Sequence, residues 1–410
     1  MEKLLSRPQY LEQLISFKDK KLIKVVTGIR RCGKSTLLDL FVRYLIEQGI
    51  QDRQIIHINM EDPEYDELDT YKKLYDFIKK RLCDDCMNYI IIDEVQTVNE
   101  FQRAVDGLYI TQNCDVYITG SNSRILSGEL ATLLSGRYVE IKMLPLSFRE
   151  YMSSFEDKSD LIVKYRSYLE NSSFPYILEL SNKKDIRAYL SGIYDSVILN
   201  DIVARKRISD VAGLKSVTRF VFDNIGNFTS ATSIANKMAA GGRSKSVHTV
   251  DNYLNALVES FVLYKANKYD IRGKEQLSSG GKYYVADIGL RYFLLGTKNA
   301  DYGHILENVI YLELLRRGYK VYVGKIGNAE VDFIAIGENG KEYYQVAYTV
   351  LGESASGKTI LERELAPLKA IRDHNPKYLL TMDFVPLISH NGIKQINALD
   401  WLLKDWQHHV

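Results

Sequence analysis

Gly28-Ile29-Arg30-Arg31-Cys32-Gly33-Lys34-Ser35 follows the pattern G-x-x-x-x-G-K-[ST]. The residues on either side of it decide the fold. Residues 22–27 (LIKVVT) read as a short buried strand, and an apolar-periodic helix runs from Ser35 to about residue 48. Strand, glycine-bounded loop and helix are the context this pattern requires. Its glycines let the loop (Gly28, Ile29, Arg30, Arg31, Cys32, Gly33, Lys34, Ser35 and Thr36) wrap a triphosphate, so that backbone N–H groups and the helix N-terminus face the phosphate oxygens. Lys34 then neutralises β/γ-phosphate charge, and the Ser35 hydroxyl is a ligand for Mg²⁺.

Working outward, residues 54–59 (QIIHIN), 88–93 (NYIIID), 115–119 (DVYIT) and 139–143 (VEIKM) are further short apolar runs. Residues 71–82 form an amphipathic helix with Leu74, Phe77 and Ile78 on one side. Nearly all-apolar strands alternating with helices predict a parallel sheet covered on both faces, so residues 1–150 read as an α/β domain. Strand 88–93 delivers Asp93 at its C-terminal end, where open α/β sheets place ligands. Asp93 is expected in the magnesium shell and Glu94 as the base that polarises water. Ser121, in Gly120-Ser121-Asn122-Ser123, either senses the γ-phosphate or belongs to a turn that caps the next helix. Arg137 is either a phosphate-sensing arginine or a surface charge.

A second stretch, Gly352-Glu353-Ser354-Ala355-Ser356-Gly357-Lys358-Thr359, fits the same pattern between a strand and a helix. No apolar strand ending in Asp-Glu follows it, so it reads as a polar loop with no sheet behind it. The 410 residues allow two to four domains. With 46% hydrophobic and 26% charged residues, wholesale disorder is excluded. The chain has no run of 18 apolar residues, which excludes a transmembrane helix, and its charged N-terminus argues against a secretory signal. A net charge of +2 carries no global nucleic-acid signature, so any basic surface is local. Cys83 and Cys86 form a CxxC with no second pair to complete a zinc site, and four cysteines in so long a chain suit a reducing, cytoplasmic setting.

After Pro145 the pattern changes. Residues 147–225 are predicted helical. From Thr229 there follow a helix ending at Gly241-Gly242, a second helix over 246–260, and a hairpin turning at Arg272-Gly273-Lys274. This is the layout of a winged helix-turn-helix. Residues 237–282 carry eight Lys/Arg against four Asp/Glu. Lys245, His248, Thr249 and Asn252 on the second helix, with Arg272 and Lys274 at the turn, are the residues for a DNA contact; the alternative is a winged helix used for protein contacts. Residues 295–303 read as the clearest linker, and an α+β unit follows.

Residues 28–36 (GIRRCGKST), 90–96 (IIIDEVQ), 119–123 (TGSNS), 135–137 (SGR) and 145–151 (PLSFREY) resemble a prokaryotic AAA+ ATPase family whose members carry a C-terminal domain of unknown function. The resemblance continues through 246–257, 282–290, 307–318 and 330–333 to 345–347, nearly the whole chain. It implies a P-loop AAA+ domain (1–150), a helical segment (151–225), a winged helix (226–298) and a C-terminal restriction-endonuclease-like domain (299–410). In that last domain the order Glu307, Asp332, Gln345 resembles the PD-(D/E)xK nucleases, which hold Mg²⁺ with such acids. The lysine of that pattern falls on Ala347, so the expectation is a catalytically silent, vestigial site, with Lys325 the nearest substitute. Taken together, the sequence predicts an Mg²⁺-dependent ATPase whose C-terminal domains contact DNA or a protein partner, leaving a homo-oligomer open. The alternatives are an ATP-loaded switch with negligible turnover and an ATP-regulated nuclease.

Overall fold

The computed structural model describes residues 5–126, 136–297, 301–352, 359–384 and 386–404. The chain forms two compact units. One is Met1–Pro145 with Phe174–Tyr176 and Glu259–Phe261; the other comprises Leu146–Ser173, Ile177–Val258 and Val262–Val410.

The first unit runs α1 (Pro8–Ser16), β1 (Ile23–Thr27), α2 (Lys34–Glu47), β2 (Ile55–Asn59), α3 (Tyr71–Lys79), β3 (Asn88–Asp93), α4 (Phe101–Ile110), β4 (Cys114–Gly120) and β5 (Tyr138–Lys142). The five strands form one parallel sheet in the order β2-β3-β4-β1-β5. Every residue of β1, β3 and β4 is buried, as befits central strands covered on both faces, while the edge strands β2 and β5 are partly exposed. A lysine in a central strand needs a partner. Lys24 has one in Asp115 on β4, and its ammonium also donates to Lys20 O at 2.8 Å. All five strands are legible in the sequence; α1 and α4 are additions.

The second unit opens with α5 (Phe148–Ser153), α6 (Leu161–Asn171), α7 (Lys183–Ile193) and α8 (Val211–Asp223). Next come β6 (Phe228–Thr229), α9 (Ala231–Ala240) and α10 (Val247–Glu259), then the hairpin β7 (Leu263–Asp270) and β8 (Glu275–Val285). Gly242, at φ 75°, ends α9 as the Gly-Gly pair predicts. After α11 (Ile288–Leu295) and α12 (Tyr302–Arg316) come β9 (Lys320–Ile326), β10 (Ala329–Gly337), β11 (Gly340–Ala347), α13 (Ile360–Lys369), β12 (Lys377–Thr381), β13 (Ile388–His390), β14 (Ile393–Asn397) and α14 (Ala398–Leu403). Strands β6–β14 form one sheet in the order β13-β14-β12-β11-β10-β9-β7-β8-β6. The stretch 295–303 is therefore not a boundary between separate sheets. β7 pairs in parallel with β9, opposing Lys268 to Val323, and carries the sheet across it.

Helix α12 is buried on nearly all sides, which explains its lack of a clear polar face. Its buried polar residues find partners along the helix and across it. Asn308 accepts from Val285 N and donates to Val285 O, and Glu313 pairs with Arg316 at 2.6 Å and Arg317 at 2.9 Å. Among the described residues no helix is long and apolar enough to cross a membrane.

Candidate functional site

The loop between β1 and α2 turns at the C-terminal end of the parallel sheet. A Cβ at Gly28 would sit 2.2 Å from the Met143 carbonyl oxygen, so no larger residue fits there. Gly33 immediately precedes α2 at φ 101°, in the region that favours glycine. Arg7, buried just before α1, donates to Cys32 O at 3.1 Å and Leu144 O at 2.8 Å, holding the loop to the segment after β5. Cys32 points inward, its thiol 3.6 Å from Met143 O, and burial raises its pKa. Arg30 bonds to Glu61 at the surface, Arg31 is exposed, and Ser35 is exposed at the start of α2 beside Thr36.

Lys34 is 4% exposed; its ammonium lies 3.2 Å from Glu94 Oε1 and donates to Gly28 O at 3.3 Å. Asp93 ends β3 fully buried, and Glu94 follows it with a left-handed backbone at φ 51°. Strand β4 lies between β1 and β3, which brings Thr119 to both acids. Its hydroxyl donates to Asp93 Oδ1 and accepts from Glu94 N at 2.9 Å. The Gln96 amide donates to Glu94 Oε2 and, at 3.4 Å, to Ser121 Oγ, while Gln96 Oε1 is buried with no hydrogen-bond partner among the described residues. Burial alone would raise the Glu94 carboxyl. The Lys34 ammonium and the Gln96 amide outweigh it, so the Glu94 pKa lies below the ordinary glutamate range. Burial works in the same way against Lys34, yet Glu94 brings its pKa above the usual lysine value.

The structure thus brings together Gly28, Gly33, Lys34, Asp93, Glu94 and Ser121. Arg7, Thr119 and Gln96 join them, unpredicted as site residues. It does not bring Arg137 there. Arg137 precedes β5 beside the N-terminal end of β1, where its carbonyl accepts from Ile23 N and its guanidinium pairs with Asp106 at 2.8 Å. The Cys83–Cys86 pair forms a disulfide, and among the described residues no three His, Cys, Asp or Glu side chains are grouped to hold a metal ion.

In the second unit Arg272 and Lys274 are exposed at the hairpin turn. His248 and Asn252 are exposed one helical turn apart and 3.3 Å from each other. Thr249 bonds to Ser246 at the start of α10, and Lys245 is occupied by Asp210 at 2.7 Å. The second glycine-lysine stretch lies outside the described residues at 353–358, although Thr359 caps α13 by accepting from Glu362 N. The strands on either side of that stretch, β11 and β12, pair in parallel within one sheet, contrary to the expectation of no sheet. Asp383, just after β12, accepts from Thr349 Oγ1 at 2.6 Å and Val350 N at 2.8 Å.

Glu307 on α12, Asp332 on β10 and Gln345 on β11 are buried and line one cavity of about 430 Å³. A register shift in β10 between Val331 and Ile334 sets the position of Asp332. The ammonium missing at Ala347 is present, from another strand. Lys282 on β8 reaches Glu307 Oε1 at 2.8 Å, Glu330 Oε1 at 2.6 Å and Asp332 Oδ1 at 3.7 Å. Lys325, the expected substitute, is exposed on β9 and does not line the cavity. Lys282 is 4% exposed, so it adds nothing to a basic surface. Burial and then the Glu307 charge hold the Asp332 carboxyl well above the ordinary aspartate range, with Lys282 acting against them.

Residues 20–152 match the AAA domain family, and residues 162–301 match a domain of unknown function (DUF8612). Among solved structures, a Walker-type ATPase of Pyrococcus abyssi aligns with a TM-score of 0.48 and 16% identity over 72% of this chain and 96% of that one. An uncharacterized protein of Haemophilus influenzae is 40% identical over 405 residues, 98% of this chain and 99% of its own length. An uncharacterized protein of Methanocaldococcus jannaschii is 30% identical over 366 residues, 86% of this chain and 79% of its own. The chain belongs to the family of these two proteins, with an AAA domain at residues 20–152 of this member.

Proposed function

We propose that the first unit binds and hydrolyses ATP with Mg²⁺, and that this turnover drives or gates a nucleic-acid or protein contact made by the second unit. The observation that carries the reading is the Lys34–Glu94 pair at the mouth of a loop whose Gly28 admits no side chain. The donor set suits a small, hard cation, with an exposed serine hydroxyl at Ser35 and a buried carboxylate at Asp93, one oxygen of which is held by Thr119. One or two carboxylates with water and substrate phosphate suffice for Mg²⁺. Bound there, the ion would offset charge developing on the phosphate oxygens.

The chain's own groups do the rest. The loop N–H groups and the start of α2 hold the phosphates, and Lys34 exchanges Glu94 for a phosphate oxygen. Glu94, freed of its cation, regains basicity and takes a proton from the attacking water. Ser121, linked to Glu94 through Gln96, orients that carboxylate. Lys34→Ala is expected to weaken ATP binding roughly ten- to hundredfold, since it removes a charged donor from the phosphates. Titration calorimetry with ATP·Mg²⁺ measures this, and unchanged affinity would refute the loop assignment. Steady-state hydrolysis with and without duplex DNA tests the coupling. Binding with no turnover in either condition would leave the switch reading in its place.

The exposed hairpin turn favours DNA as the contact, through a winged helix. Arg272→Ala with Lys274→Ala should weaken duplex binding and flatten the log–log salt dependence by about 2, one counterion release per lost phosphate contact. Gel-shift affinity insensitive to both the substitutions and salt would favour a protein partner. For the C-terminal acids we keep the silent reading on a new ground: Lys282 meets their charge from within the chain. The wild type is expected to leave plasmid DNA uncut with Mg²⁺ while retaining ATPase activity. Nicking that disappears in Asp332→Ala would overturn this.

A further inference from the structure

A second cavity in the same unit, of about 510 Å³, is lined by three arginines from separate segments. Arg219 comes from α8, Arg291 from α11, and Arg243 from the turn after α9. Asp223 is the one acidic residue of the lining. Arg291 is only 4% exposed; its Nε donates to Phe222 O at 2.9 Å, and it forms no ion pair with a carboxylate among the described residues. Arg219 and Arg243 are each pinned by one neutral oxygen, Leu294 O and Ser216 Oγ, both at 3.0 Å. Neither forms an ion pair among the described residues. Lys237, 5.0 Å from the centre of the Phe220 ring, adds a further cation beside the cavity.

A guanidinium taken out of water without a carboxylate is costly. Burial accordingly lowers the Arg291 pKa, with Tyr292 and Asp223 acting against it. The bland explanation is that Arg291 and Arg219 cap the carbonyl ends of α8 and α11, and that Arg243 only holds the Ser216 hydroxyl. That accounts for one bond per arginine. It does not account for the gathering of three guanidiniums in the lining of one open cavity. Guanidinium forks match phosphate oxygens in spacing and planarity.

We propose that Arg219, Arg243 and Arg291 form a phosphate-binding subsite, separate from the β1–α2 loop, for a nucleic-acid backbone phosphate or a free phosphorylated ligand. The test uses the full chain carrying Lys34→Ala, which disables the loop. Inorganic pyrophosphate and a duplex oligonucleotide are titrated against this chain and against the same chain with Arg219→Gln and Arg243→Gln. Both arginines are exposed, so the substitutions spare the core. Loss of at least about tenfold in affinity for either probe is expected, the effect of removing charged donors. Loss confined to DNA, with a salt dependence flatter by about 2, identifies a backbone phosphate. Loss confined to pyrophosphate identifies a small phosphorylated ligand. Arg291→Lys, which keeps the charge but not the fork, should reproduce some of the loss. If neither probe binds, or if binding is equal in all variants, the arginines serve only the bonds they make within the chain and the proposal fails. The Arg272/Lys274 pair, measured alongside, separates this outcome from failure of the hairpin contact.

Discussion

Glu94→Gln is expected to bind ATP at least as tightly as the wild type and to hydrolyse it about 10²–10⁴-fold more slowly, the range that a positioned general base supplies. The geometry accounts for both halves. Glu94 is 7% exposed, held by Lys34 on one oxygen and Gln96 on the other. While Lys34 stays, the carboxylate is a weak base, because the neighbouring cation stabilises its charged form. Transfer of Lys34 to a phosphate removes that cation and raises the pKa of Glu94 at the moment the base is needed. Glutamine has the same shape and keeps the contact to Gln96, but it cannot accept the proton. It also releases Lys34 from an ion pair, which favours phosphate binding. Single-turnover hydrolysis beside calorimetric ATP affinity separates the two effects. Unchanged turnover would remove Glu94 from the mechanism.

The first unit is legible because its chemistry is local. A parallel strand buried on both faces reads as an unbroken apolar run, and the glycine-lysine loop follows one such strand directly. What is not legible depends on contacts distant in sequence. Arg7 reaches Leu144 across 137 positions, and no periodicity records it. Thr119 bridges Asp93 and Glu94 only because β4 lies between β1 and β3, an order set by the crossovers. Arg137 reads from the sequence as either a phosphate sensor or a surface charge, and a strand beginning at Tyr138 puts it at the far end of the sheet, paired with Asp106. In the second unit the helix–helix–hairpin order is readable from caps, glycines and alternation. The joining of that hairpin to the C-terminal strands is not, because parallel pairing of β7 with β9 leaves no local signature. Lys282 escapes notice for the same reason. By composition it belongs with the basic residues around it, although it opens the apolar stretch Tyr283-Tyr284-Val285, a sign that the strand is buried.

Lys282→Met is expected to destabilise the second unit by about 3–5 kcal/mol, the usual result of removing one partner of a buried ion pair. The side chain volume is nearly kept, so the loss is electrostatic. Among the described residues, Glu307 would retain only the Tyr284 hydroxyl at 2.6 Å as donor to Oε1, and Asp332 only the Val346 N–H at 2.9 Å to Oδ2. The sign with pH follows from the raised folded-state pKa of Asp332. An acid that is harder to ionise in the native state takes up a proton there first, so its contribution to stability grows as pH falls from the raised value toward the ordinary aspartate range. Without Lys282 the Asp332 carboxyl shifts further upward. The variant's deficit should therefore be larger at pH 8 than at pH 5, where protonation relieves it. Urea denaturation of both chains at the two pH values measures this. Adding Glu307→Leu to Lys282→Met should recover some of the loss, because the pair is then replaced by apolar groups and no buried charge at 307 is left alone. A deficit independent of pH, with no recovery in the double variant, would show that Lys282 acts through packing and that the acids do not depend on it.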